Sequence, residues 1–184
     1  FLSDINDNDD DNDGLLDNVD FFARDASNGM STSIPVDYQF DNSADPGIQG
    51  WGFTGLMTNY QDDYMDLYDL NQMTVGGAAL KFTVDSVPPG DAFGALNNQE
   101  YGFQFGVDVS SEVSDYTING RIHGHFANQT PIDDQSYCFF IGTGDQDNYL
   151  KVVLASNGGI GGLEVLLEEN GVVNASASGM FNVA

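Results

Sequence analysis

Five carboxylates, Asp9, Asp11, Asp13, Asp17 and Asp20, recur within twelve residues, with Gly14 directly after the third of them. Oxygen donors at that spacing can curl around one hard cation. A calcium loop takes ligands from its first, third, fifth, seventh, ninth and twelfth positions and needs glycine at the sixth for a sharp turn. Counted from Asp9, those side-chain slots fall on Asp11, Asp13, Asp17 and Asp20, and the glycine slot falls on Gly14. The seventh residue, Leu15, offers its backbone carbonyl, and Leu16 beside it is apolar and expected to pack inward. A count begun at Asp7 puts Asn12 where glycine is wanted, so the Asp9 register fits better. The twelfth ligand is Asp in place of the usual Glu; it either coordinates through one oxygen or draws the loop tighter.

Eight Asp and no basic residue lie between positions 4 and 20. Like charges about 5 Å apart repel by roughly 1 kcal/mol per pair even in water. Without metal this stretch should extend; with calcium it should order and stiffen. The competing reading is a disordered acidic linker. No amphipathic helix precedes Asp9, so a helix-loop-helix sensor is not expected. The run Asp4-Ile5-Asn6-Asp7-Asn8-Asp9-Asp10-Asp11-Asn12-Asp13-Gly14 resembles a thrombospondin type 3 repeat, over about 20 residues. In that family consecutive Asp and Asn share ions, which implies a second ion held by Asp4, Asn6, Asp7 and Asp10.

The rest of the chain must position such a loop. Its 184 residues suffice for one domain with a sizeable core, and 13 Phe and 8 Tyr supply the apolar bulk. Against 29 acidic residues stand only Arg24, Lys81, Arg121 and Lys151, a net charge of -25. Nucleic acid is excluded as a partner, because phosphates must be neutralised by Lys and Arg. An anionic membrane surface is disfavoured for the same reason, and no apolar run of about 18 residues exists to insert into a bilayer. The single cysteine, Cys138, sits in the apolar run Tyr137–Ile141 and is expected to be buried there. An extracellular chain without a disulfide framework fits a bacterial surface protein stapled by metal ions. The abrupt start at Phe1 reads as a cut from something longer.

Strand signals dominate from Phe21 onward. Ala79–Val84 alternates; Tyr101, Phe103, Phe105, Val107 and Val109 keep strict period two, which makes them the expected buried face. Tyr116, Ile118, Ile122 and Phe126 form another alternating face, Tyr137–Ile141 reads as a strand buried on both sides, and Tyr149–Leu154 and Leu163–Leu167 follow. Met180–Ala184 looks like the start of one more. Turn formers separate them: Pro88-Pro89-Gly90, Asn119-Gly120, Gly142–Asp145, Asn157-Gly158-Gly159 and Asn170-Gly171. The one helix candidate is a turn or two near Asp62–Leu70. The expected organisation is an acidic calcium-binding segment, 1–20, followed by an all-β antiparallel sandwich, 21–184.

The hairpin from Tyr137 to Leu154, with its polar Gly142–Asn148 turn and the run Asn148-Tyr149-Leu150-Lys151, resembles concanavalin A-like and laminin-G-like sandwiches. Gly52–Leu56 and Asn97–Tyr101 suit the versions found in very large bacterial surface proteins, including calcium-dependent adhesins. The resemblance implies a jelly roll whose relatives bind glycans, bind calcium or space other modules.

Asp145, Asp147 and Asn148 could hold another calcium ion at the turn, or form an ordinary polar hairpin tip. His123 and His125 share one strand face, yet no third His or second Cys completes a transition-metal set. Glycosidases of this fold need paired carboxylates, and Glu164, Glu168 and Glu169 do not match that spacing. No catalytic motif is present. The sequence therefore suggests a non-catalytic, secreted or cell-surface calcium module joined to neighbouring domains of a longer chain. The alternative is a carbohydrate-binding module, with Trp51, Tyr60, Tyr64 or Tyr68 stacking on glycan rings.

Overall fold

The computed structural model describes residues 7–37, 53–57, 73–76, 81–84, 88–109, 115–122, 130–132, 135–156 and 161–182. Among them there is no helix, and every pair of strands is antiparallel. An all-β chain is thus what these residues form. The Asp62–Leu70 helix candidate, His123, His125, Trp51, Tyr60, Tyr64 and Tyr68 lie outside the described residues, as do Asp4 and Asn6. No helix among the described residues is long and apolar enough to cross a membrane.

The chain divides into two compact units. The first comprises Phe1–Ala92, Asn97–Glu112 and Gly144–Gln146; the second comprises Phe93–Leu96, Val113–Thr143 and Asp147–Ala184.

In the first unit, β1 (Gly55–Leu56) pairs with β4 (Phe103–Gln104), and β2 (Met73–Gly76) pairs with β3 (Lys81–Val84). The expected strand from Tyr101 to Val109 shrinks to two residues, joined only by a parallel bridge between Ser33 and Asp108. Period two survives with its phase reversed. The buried positions are Gly102, Gln104 and Gly106, while Tyr101, Phe103, Phe105 and Val107 are half-buried and Val109 is exposed. The cause is backbone crowding. A Cβ on Gly102 would stand 2.8 Å from the Met57 side chain, and one on Gly106 would stand 2.5 Å from the Gly29 backbone. Tyr101 and Phe103 instead join Phe53 and Phe82 in an aromatic cluster, with ring centroids 5.6 to 6.3 Å apart.

The second unit holds a five-stranded sheet in the order β5 (Ser136–Gly142), β6 (Tyr149–Ser156), β7 (Gly161–Glu169) and β8 (Val172–Val173), with β9 (Gly179–Asn182) also paired to β7. Its backbone is the long β6–β7 hairpin, in register from Tyr149 opposite Glu168 to Ser156 opposite Gly161. One face of the hairpin buries Tyr149, Val153, Ala155, Leu166 and Glu168. On that face Lys151 and Glu164 form an ion pair at 3.3 Å. Asn170 and Gly171, both at positive φ (54° and 71°), close the turn from β7 to β8.

Two expectations fail here. The strand Tyr137–Ile141 is not buried on both faces: Tyr137 is 38% exposed and Phe139, Phe140 and Ile141 are half-buried. Among the described residues β5 pairs only with β6, so it lacks the second neighbour that double burial requires. The Cys138 side chain lies outside the described residues. Tyr116 and Ile118 are exposed within a non-strand segment, 115–122, and Phe126 is not described.

Candidate metal centre

The loop from Asp7 to Asp20 turns through two residues of positive φ, Asn12 at 61° and Gly14 at 100°. The second value is costly for any residue with a Cβ, which explains glycine there. Short Asx bonds build the curl. The Asp11 carboxylate accepts the Asp13 N–H at 3.1 Å, and the Asp13 carboxylate accepts the Leu15 N–H at 2.7 Å. The Asn12 N–H reaches the Asp9 carbonyl, and the Asp17 N–H closes the loop onto the Asn8 carbonyl at 3.0 Å.

This curl gathers one oxygen from each of Asp9, Asp11 and Asp13 within 4.8 Å of one another. Two ligands of a single calcium ion, each 2.3–2.6 Å from it, cannot lie more than about 5 Å apart. The three carboxylates therefore satisfy the distance requirement for sharing a metal ion, and among the described residues no other group of three His, Cys, Asp or Glu does. Asp9 Oδ1 and Asp11 Oδ2 are shielded from solvent and accept no hydrogen bond. Buried carboxylate oxygens are ordinarily satisfied, and a cation between them would supply what the protein does not.

Asp17 and Asp20 are both buried, at 3% exposure. Asp17 Oδ1 accepts the Asp10 N–H at 2.9 Å, and Asp20 Oδ1 accepts the Phe22 N–H at 2.8 Å. Neither belongs to the triple, but Asp20 is close enough to feel its charge. Burial first, and then repulsion from Asp13, Asp11 and Asp9, push its carboxyl above the usual 3.8 against the pull of the Phe22 N–H. Asp11 is likewise raised, by burial and then by Asp13 and Asp9, against the hydrogen bond from Asp13. Asp7 and Asp10 are half-buried beside the loop.

Leu16 departs from expectation. It is 53% exposed, with Leu15 and Val19 also exposed at 48% and 38%. The loop buries Asp17 and Asp20 and half-buries Asp9 and Asp11, while Asp13 and the apolar side chains stay exposed.

Asp145 and Asp147 sit in the turn after β5, and among the described residues neither takes part in a group of three His, Cys, Asp or Glu. Asp147 gives its carbonyl to the Gly171 N–H at 3.0 Å, and Asn148 Oδ1 accepts the Asn170 N–H at 2.9 Å. Both contacts fit the polar hairpin-tip reading.

Several structural polar residues escaped the sequence pattern. Asp25 caps a turn by accepting from Ser27 N–H, Ser27 Oγ and Gly29 N–H. Gln104 Nε2 donates to the carbonyls of Phe21, Leu56 and Gly144 at 2.7, 3.0 and 3.1 Å. Gln146 Nε2 donates to Met57 and Gln99 carbonyls, while its Oε1 accepts the Gln99 N–H. Glu168, which the sequence marks only as failing the paired-carboxylate spacing, is 1% exposed and accepts from Gly94 N–H and Tyr149 OH. Only the Asx spacing of Asp25 with Ser27 carried a local signal.

No family model, curated protein or solved structure matches the chain.

Proposed function

We propose that this chain is a calcium-binding, non-catalytic extracellular module of a large bacterial surface or adhesion protein. Its ion would stiffen the N-terminal segment that joins it to a preceding domain, and a jelly-roll sandwich would carry that loop. The observation behind the proposal is the convergence of Asp9, Asp11 and Asp13 within 4.8 Å in a loop whose sixth residue is Gly14. Calcium is the cation favoured by an all-oxygen donor set of carboxylates with a backbone carbonyl at Leu15. The net charge of -25 adds a long-range attraction for any cation.

Isothermal titration with calcium tests the proposal. The chain should bind at least one ion, and D11N should lose that heat because one of the three converging carboxylates is gone. A melting temperature indifferent to calcium or EGTA would defeat the staple. Glycan binding by the chain alone, scored with and without EGTA, would replace the structural reading with the carbohydrate-binding one.

A further inference from the structure

We infer that Gln104 is a positioning residue for the metal loop, tying the loop's twelfth ligand to the first unit's core through one peptide group. The inference rests on the calcium reading above. The peptide linking Phe21 to Phe22 is engaged at both ends. Its carbonyl accepts Gln104 Nε2 at 2.7 Å, and its N–H donates to Asp20 Oδ1 at 2.8 Å. A peptide group is planar and stiff, so the direction of its C=O fixes the direction of its N–H. That N–H in turn holds one oxygen of Asp20, the twelfth position of the loop counted from Asp9, and so fixes the orientation of its carboxylate.

Gln104 is itself immobilised. It is 7% exposed, its backbone carbonyl accepts the Thr54 N–H at 2.9 Å, and its amide nitrogen also reaches the Leu56 and Gly144 carbonyls. An amide offers two hydrogens, so three carbonyls compete for them and the group has one satisfactory orientation. The Phe21 carbonyl has little room to shift, since a Cβ on Gly55 would stand 2.0 Å from its oxygen. The Arg24 N–H also donates to the Thr54 carbonyl at 3.0 Å, tying the residues after the loop to the segment before β1. Hydrogen bonds in such a series also polarise one another. Ion occupancy and the Gln104 cluster are therefore linked, and linkage is reciprocal.

The comparison that tests this uses the full chain with Gln104→Met and Gln146→Met. Both remove a buried amide of similar size, but only Gln104 touches the Phe21–Phe22 peptide. Calcium affinity, read by chelator competition, should fall about tenfold in Q104M and stay within about twofold of wild type in Q146M. Equal weakening in both variants, or unchanged affinity in Q104M, overturns the inference. If Q104M does not fold, amide exchange in the wild type decides: calcium should slow the Thr54 and Met57 amides, and protection confined to residues 7–25 overturns the coupling. A wild-type chain that binds no calcium removes the calcium reading itself, which an intact wild-type affinity beside an unaffected variant does not.

Discussion

Asp11 and Asp20 give the metal-free loop a definite pH response. Each has its folded-state pKa raised above the ordinary 3.8, chiefly by burial. A carboxyl raised on folding opposes the folded state when charged, so its penalty is complete above the folded pKa and is relieved as pH falls through it. In EGTA the protein should therefore gain stability between neutral pH and mild acid from these two groups. Bound calcium reverses the sign, because a ligated carboxylate resists protonation and its stabilisation is lost as pH falls. Melting curves from pH 7 to pH 4.5, with and without calcium, should converge, and parallel curves would show that neither carboxyl meets the ion. Gly14 allows a sharper test. Nothing lies within 4 Å of a Cβ built there, so G14A adds only backbone strain at φ 100°, about 1–3 kcal/mol. Calcium affinity should fall in G14A and hold in G94A, whose φ of 60° belongs to the second unit. The convergence of Asp9, Asp11 and Asp13 was legible because it is local, each Asx bond spanning two residues. The roles of Gln104 and Gln146 were not, because they bond across 40 to 89 positions of sequence.

Strands were legible where pairing is local and long. β6, β7 and β9 lie where alternating or apolar runs stand between turn formers, and the Asn170-Gly171 turn has the positive φ values that its composition favours. The reading failed where glycine changes the meaning of a pattern. Between Tyr101 and Val109 the large side chains suggest one buried face, yet Gly102 and Gly106 mark where neighbouring segments press closest. Burial there follows the smallest side chains. Only tertiary context distinguishes an aromatic row that fills a core from one that flanks a backbone contact. In the β6–β7 hairpin the burden falls on Leu166, 2% exposed and opposite Lys151. L166A should cost about 2–5 kcal/mol and lower the denaturation midpoint without altering calcium affinity, since Leu166 and the loop belong to different units. A matched loss of calcium binding in L166A would mean that the two units unfold as one.

The charge of the whole molecule sets the terms on which calcium acts. One bound ion moves the net charge from -25 to -23, a change too small to explain stabilisation by general neutralisation. Its effect must be local. Three carboxylate oxygens within 4.8 Å repel by about 1 kcal/mol per pair in water and by more where solvent is partly excluded. Simple salt acts differently: its screening length is about 10 Å at 0.1 M and 3 Å at 1 M. Sodium chloride should therefore raise the melting temperature of the EGTA-treated chain by weakening repulsion between exposed charges, and then level off with much of the Asp9–Asp11–Asp13 penalty in place, because Asp9 Oδ1 and Asp11 Oδ2 are shielded from solvent and partly buried charges are screened far less. Calcium added on that plateau should give a further rise that follows mass action, about 2.7 kcal/mol at a hundredfold excess over the dissociation constant. In D11N the salt-dependent part should persist while the calcium-dependent part disappears, because the distant charges remain and the converging set does not. If 1 M sodium chloride alone reproduced the entire calcium effect, the acidic loop would be serving the protein only as solvated charge.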